Sequence, residues 1–301
     1  WDFAEWMDSR AEMNGQIIPF CPYIAHLCAQ QGHEMALHGY NHQSLRLDWW
    51  RIDGPKNMVD ALNQAVKRWP YEGLSPLPFS YIAPHNLFDA ARLEALHKAV
   101  PSIKVIGGMA FGDFNEGANR EFGPEPWNEV FFGIPRWTDG YAADGPTKVQ
   151  FLSEMGTFGI WTHFVHPDDV INTPTNYPHD NPADTRNPHE RPWRGDHTAE
   201  KNGMYYGLEA LLSFVDEHYP WLRHMTTEEA YWELQDYLPT RATYDFSQPD
   251  EITVRFEGHP LHFQIRVNDG RRVDLANLVN AQLVHYYEGD GYNLYILKGM
   301  G

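Results

Sequence analysis

Apolar positions along this chain alternate between a helical period and a strand period, and the order of the switches suggests the fold. Residues 4–13 read as a helix, and "QIIPFCPYI" as a strand with a proline-containing exit. "IAHLCAQQG" reads as a short helix closed by Gly32, and "HEMALHG" as a short strand with Met35 and Leu37 alternating against Glu34, Ala36 and His38. Residues 57–68 place Met58, Leu62, Ala65 and Val66 on one helical face. "FSYIAP" then reads as a strand, "LFDAARLEALHKAV" as a helix and "IKVIGG" as a strand, with further strands in "EVFFGIPRW" and "TFGIWTHFVHP". This alternation predicts an α/β domain with a largely parallel sheet, barrel-like or doubly wound. Residues 172–198 are rich in Pro, Asn, Asp, Arg and His and show no period, and a loop of that length in a compact domain is more often functional than idle. A helix from near Thr198 to about His218 follows, then another at Thr226, where Thr226 and Glu229 have capping-box spacing.

Past Pro239 the period changes to that of half-buried strands. "EITVRFEG", "LHFQIRVN" and "YNLYILKG" are separated by turn signals such as "NDG" and "GDG". The expected organisation is therefore an α/β domain over residues 1–240 and a small β-rich accessory module over residues 241–301.

Composition narrows the function. The 301 residues are 42% hydrophobic, which suits a globular chain with a substantial core. A net charge of -18 repels phosphate backbones and argues against nucleic acid, while tolerating a neutral or cationic polymer. Aromatic residues reach 14%, enough for stacking platforms as well as for a bulky core. No apolar run approaches a membrane span, and no signal peptide is evident. The opening on Trp1 reads as a fragment or a mature form. Cys21 and Cys28 fit neither a disulfide framework nor a zinc-ribbon spacing.

Two histidine clusters carry candidate chemistry. In "GHEMALHGYNHQS", His38 and His42 are four residues apart, just after a strand. On a continuing strand they lie too far apart for one ion, but a bend at Gly39 brings them together, and two imidazoles supply two of the three protein ligands of a catalytic zinc site. Gln43 and Ser44 follow as candidate supporting donors. A pair of solvated or core histidines is the other reading. In "WTHFVHPDD", His166 sits at a strand end, where α/β folds gather their chemistry, and suits general acid–base work. Asp168 and Asp169 either orient a ring or cap the turn that follows.

These stretches resemble a known family. "GHEMALHGYNHQS" resembles the second motif of the NodB-homology polysaccharide deacetylases, carbohydrate esterase family 4 and its relatives. "THFVHPDDV" with "HYPWLRHMTTEEA" resembles more narrowly the Pel-polysaccharide and galactosaminogalactan deacetylase type, and "SYIAPHN" stands where those families have a third motif. The resemblance spans roughly residues 15–235. It implies a distorted (β/α) barrel and a metal-dependent N-deacetylase acting on N-acetylhexosamine units of an exopolysaccharide, outside the cytoplasm in an extracellular or periplasmic setting. It implies one divalent ion, zinc with cobalt or nickel as alternatives, held by His38 and His42, and His166 as the acid that protonates the leaving amine. The family's first-strand aspartates have Asp2 as their one placed counterpart, as metal ligand and base; either that strand lies upstream of Trp1 or Asp2 ends a divergent motif. The third motif lacks the family's arginine. Arg136 is the substitute, Trp137 a wall of the acyl pocket, and His85, Asn86 and His163 further substrate contacts. The competing reading is a catalytically impaired module that only binds polysaccharide.

Overall fold

The structure, a computed structural model, describes residues 10–40, 42–45, 55–108, 121–166, 169–170, 187, 190–195 and 203–300. The chain divides into two compact units, Trp1–Val215 with Thr226–Glu228 and Asp216–Met225 with Glu229–Gly301.

In the first unit, β1 (Arg10–Met13) and β2 (Gln16–Pro19) form an antiparallel hairpin. Where the pattern predicted a helix over 4–13, residues 10–13 are thus strand. Asn14 and Gly15 both take positive φ (52° and 77°), as the tight turn of a hairpin requires, and that turn overrides the helical reading. α1 (Phe20–Gln30) starts directly after β2, so "FCPYI" is helix and not strand. Pro22 falls in its first turn, where no backbone N–H is needed. "HEMALHG" contributes only one parallel bridge, Leu37 to Tyr81.

α2 (Pro55–Arg68) buries Met58, Leu62 and Ala65, with Val66 packed beside them, as the helical period dictates. β3 (Ser80–Ile82), α3 (Ala90–Ala99) and β4 (Val105–Gly107) follow, with Asp89 capping α3 through the Arg92 N–H at 3.0 Å. β4 continues to β6 (Phe132–Gly133), which β5 (Gly123–Pro124) joins on the far side. The sheet order is β3-β4-β6-β5, with the first three strands parallel and β5 antiparallel. Tyr81, Val105, Ile106, Phe131 and Phe132 are all buried, as parallel strands covered on both faces demand.

β7 (Thr138–Asp139), α4 (Gly145–Phe158) and β8 (His163–Phe164) make a second parallel unit. Backbone bonds run on from β4 through Ile134 N–H to Ile106 O and Arg136 N–H to Gly108 O, before residues 138–140 pair with 162–164. Among the described residues the strands form several small sheets that do not close into a barrel. The sequence pattern carries no sign of α4, because its faces are poorly segregated: Val149 is 63% exposed whereas Glu154 is 3% exposed. α5 (Met204–His218) begins later than the composition near Thr198 suggests.

α6 (Thr227–Tyr237) leads to the strands of the second unit. β9 (Arg241–Gln248) and β10 (Glu251–Glu257) form a hairpin, and β11 (His262–Val267), β12 (Ala281–Gly289) and β13 (Tyr292–Gly299) a sheet in the order β11-β13-β12. Central β13 buries Leu294 through Leu297. The pattern missed β9, whose side chains are almost all exposed, and β12, whose bulge between Leu283 and His285 breaks the two-residue period. No helix among the described residues is long and apolar enough to cross a membrane.

Candidate active site

Two segments that run side by side build the site. Leu37 bridges Tyr81 and Leu45 bridges Phe88, both parallel, and between these points both segments leave the ladder. The outward arcs hold His38 and His42 on one side and His85 and Asn86 on the other. Left-handed backbone makes the arcs: Gly39 has φ +107°, His42 +51°, His85 +56° and Asn86 +58°. Three of these four are not glycine, and such strain persists only where the surroundings enforce it, most often at functional sites.

His38 directly follows the bridged Leu37, and its Nδ1 donates to the Ile82 carbonyl at 2.8 Å. That bond fixes the tautomer and leaves Nε2 with its lone pair. Burial holds the ring far below the usual histidine range, at about 3, helped by the neighbouring His42 and Arg136 and opposed by the Ile82 bond. The His42 ring lies edge-on to His38 at 4.9 Å and to His85 at 4.5 Å, so three imidazoles form one row. Gly39 is essential to the first arc. A Cβ there would lie 3.0 Å from Pro84 Cγ and 3.4 Å from Tyr81 Oη, at a φ that L side chains rarely adopt. Gly39→Ala should cost roughly 1–3 kcal/mol and separate the histidine rings. Urea denaturation checks the first effect, and histidine ring NMR shifts that stay as in the parent would contradict the second.

Arg136 joins the row from the next strands. Its guanidinium donates to Asn86 Oδ1, and its Cζ lies 4.1 Å over the Phe164 ring. Phe164 in turn meets the His166 ring at 5.1 Å. The Tyr141 hydroxyl donates to the His166 carbonyl at 2.8 Å, which fixes the end of β8. His38, His42, His85, Asn86, Arg136 and His166 therefore form a continuous series of contacts at the carboxyl ends of parallel strands.

Other sequence candidates stand apart. His163 uses both ring nitrogens in the framework, Nε2 donating to Gly140 O at 2.8 Å and Nδ1 facing Thr138 Oγ1 at 2.9 Å. Its burial lowers its pKa and keeps it neutral. Trp137 packs on Phe158 of α4, with the ring centroids 5.6 Å apart. Asp2 and Asp168 lie outside the described residues, and Asp169 bonds through its backbone N–H to His166 O. Among the described residues, no three His, Cys, Asp or Glu side chains are arranged to hold a metal ion.

Sequence reasoning passed over Phe164, Tyr141 and Glu154. The first two lack the polar signature of chemistry, and the third lies in the helix that the pattern missed. Glu154 Oε1 accepts the Thr162 N–H at 3.0 Å and meets Thr162 Oγ1 at 3.0 Å. Thr162 Oγ1 accepts the Trp137 N–H, and its single proton has two acceptors in reach, Pro135 O at 2.7 Å and Glu154 Oε1. Burial pushes the Glu154 carboxyl up to about 8, and the Thr162 bonds only partly oppose the shift. Since the folded pKa exceeds the unfolded value of 4.5, the stability contribution is full below about 4.5 and is lost as pH rises through about 8. Glu154→Gln should remove that slope, a difference on the order of a few kcal/mol at alkaline pH. Urea midpoints from pH 5 to 9 that run parallel in both proteins would contradict it.

A cluster of imidazoles and a guanidinium thus stands at parallel strand ends, where α/β folds place their sites. The chain belongs to a bacterial family described as "Uncharacterised protein conserved in bacteria (DUF2194)", whose sequence profile matches residues 21–289. That match overturns the resemblance to the NodB-homology deacetylases: the family spanning the histidine motifs is this one, and no deacetylase family matches. No curated protein and no solved structure matches the chain.

Proposed function

We propose that this chain is a metal-dependent hydrolase that removes acetyl groups from the amides of N-acetylated amino sugars in a polysaccharide. The observation that carries the reading is the contact series from His38 through His42, His85, Asn86 and Arg136 to His166. His38 suits a divalent ion because its Nδ1 bond to Ile82 presents Nε2 as a neutral donor, and His42 offers a second ring beside it. Zinc, cobalt and nickel all accept imidazole. A bound ion supplies a Lewis-acid centre that polarises an acyl carbonyl and acidifies water.

His166 is the proposed general acid. It lies at the end of the series opposite His38, and the Tyr141 bond to its carbonyl holds its backbone. Its imidazole hands a proton to the departing amine, so that the leaving group is neutral when the C–N bond breaks. Arg136, buttressed by Asn86 and Phe164, orients the acyl group through its N–H donors, with His85 beside it. The product is a cationic amino sugar, which a chain of net charge -18 tolerates well.

The test is acetate release from N-acetylated hexosamine oligomers by protein as purified, after chelation, and after zinc is restored. Release that is lost and then regained supports the reading. Release that chelation leaves unchanged contradicts the metal dependence, and no release from any oligomer contradicts the substrate class.

A further inference from the structure

Beside the site, outside the contact series, Trp193 packs edge-on against two tyrosines and is partly exposed. It is 39% exposed. Its ring meets Tyr141 at 6.1 Å and 90°, and Tyr205 at 5.7 Å and 67°. Tyr141 is the residue whose hydroxyl holds the His166 carbonyl, so the indole stands one side chain away from the end of β8.

The backbone beneath Trp193 is clamped. The first N–H groups of α5 donate outward, Met204 to Pro192 O at 3.0 Å and Tyr205 to Trp193 O at 2.8 Å. The two segments approach so closely that a Cβ on Gly203 would lie 2.2 Å from the Arg194 carbonyl carbon. On the other flank, the buried Asn187 side chain accepts from Arg191 N–H at 2.9 Å and donates to Arg191 O at 2.8 Å. An indole fixed in this way loses little further freedom on binding a ligand. The Arg194 guanidinium, 4.7 Å over the Tyr205 ring, adds hydrogen-bond donors at the rim.

We propose that Trp193 is a stacking platform for a pyranose ring of the substrate chain, a subsite next to the hydrolytic centre; this rests on the deacetylase reading above. The apolar face of a sugar ring covers the exposed part of the indole, and Arg194 donates to ring hydroxyls. A neutral N-acetylated chain fits the strongly negative protein, whereas an anionic lipid surface or a nucleic acid is repelled.

The test uses the full chain and two probes, hexamers of N-acetylglucosamine and of N-acetylgalactosamine, with binding measured by calorimetry and KM and kcat measured separately. Trp193→Leu keeps the apolar bulk but removes the ring face. Trp193→Tyr keeps a ring face and serves as the conservative control. We expect the leucine variant to bind the preferred hexamer roughly tenfold more weakly and to raise KM by a similar factor at unchanged kcat, with tyrosine close to the parent. Equal binding by the leucine variant and the parent overturns the platform, as does a parent that binds neither hexamer. Binding that depends on Trp193 without any hydrolysis leaves the platform standing and removes the deacetylase reading. Hydrolysis with a KM indifferent to Trp193 does the reverse.

Discussion

His38→Ala should lose the metal and the activity together. The side chain is half-buried, and its Nδ1 is already committed to Ile82 O, so Nε2 is the nitrogen it has to offer. Removing it takes one of the two proposed imidazole ligands, His38 and His42. Turnover should fall to the uncatalysed background, and the zinc content of the dialysed protein should fall with it. The fold should survive, because the bridges at Leu37 and Leu45 that frame the arc are made by backbone. Metal content by atomic absorption, measured beside acetate release, checks both halves. A variant that loses activity at full metal content would move His38 from ligand to another role.

His166→Ala should separate what His38→Ala joins. Turnover should drop by roughly 10²–10⁴-fold, the usual contribution of a positioned general acid. Metal content should be unchanged, since the proposed ligands His38 and His42 lie on another segment, and the Tyr141 bond to the backbone carbonyl at 166 does not need the imidazole. The pH profile adds a readout that a purely structural role would not move: the limb that reports the acid should disappear. His163→Ala is the control. Its ring nitrogens tie β8 to Thr138 and Gly140, so it should lower stability more than it lowers the rate per folded molecule. Near-normal turnover in His166→Ala beside an inactive, metal-loaded His163→Ala would reverse the two assignments.

The sequence showed the ingredients of the site better than its frame. The adjacency of His38 and His42 was legible because a glycine between them permits a bend that a strand does not, and Gly39 at φ +107° makes that bend. The matching arc at His85 and Asn86 was not legible. Neither residue is glycine, so nothing in their chemistry announces a left-handed backbone; only packing enforces it. Arg136 was assigned as a candidate by its residue type, but its partners Asn86 and Phe164 come from segments 50 and 28 residues away, and such pairing has no local signal. The helix α4 was hidden because its buried face contains Glu154 and its exposed face contains Val149. The β1–β2 hairpin was hidden by a helical apolar spacing that the Asn14–Gly15 turn outweighs.

The account depends on a divalent ion at the histidine row. The most direct measurement is anomalous scattering at the zinc edge from a crystal grown with zinc. The predicted result is a single strong peak in contact with His38 Nε2 and a ring nitrogen of His42, at the ordinary zinc–imidazole distance of about 2.0–2.1 Å. A peak elsewhere on the chain, or none at the row while both rings are well ordered, would contradict it.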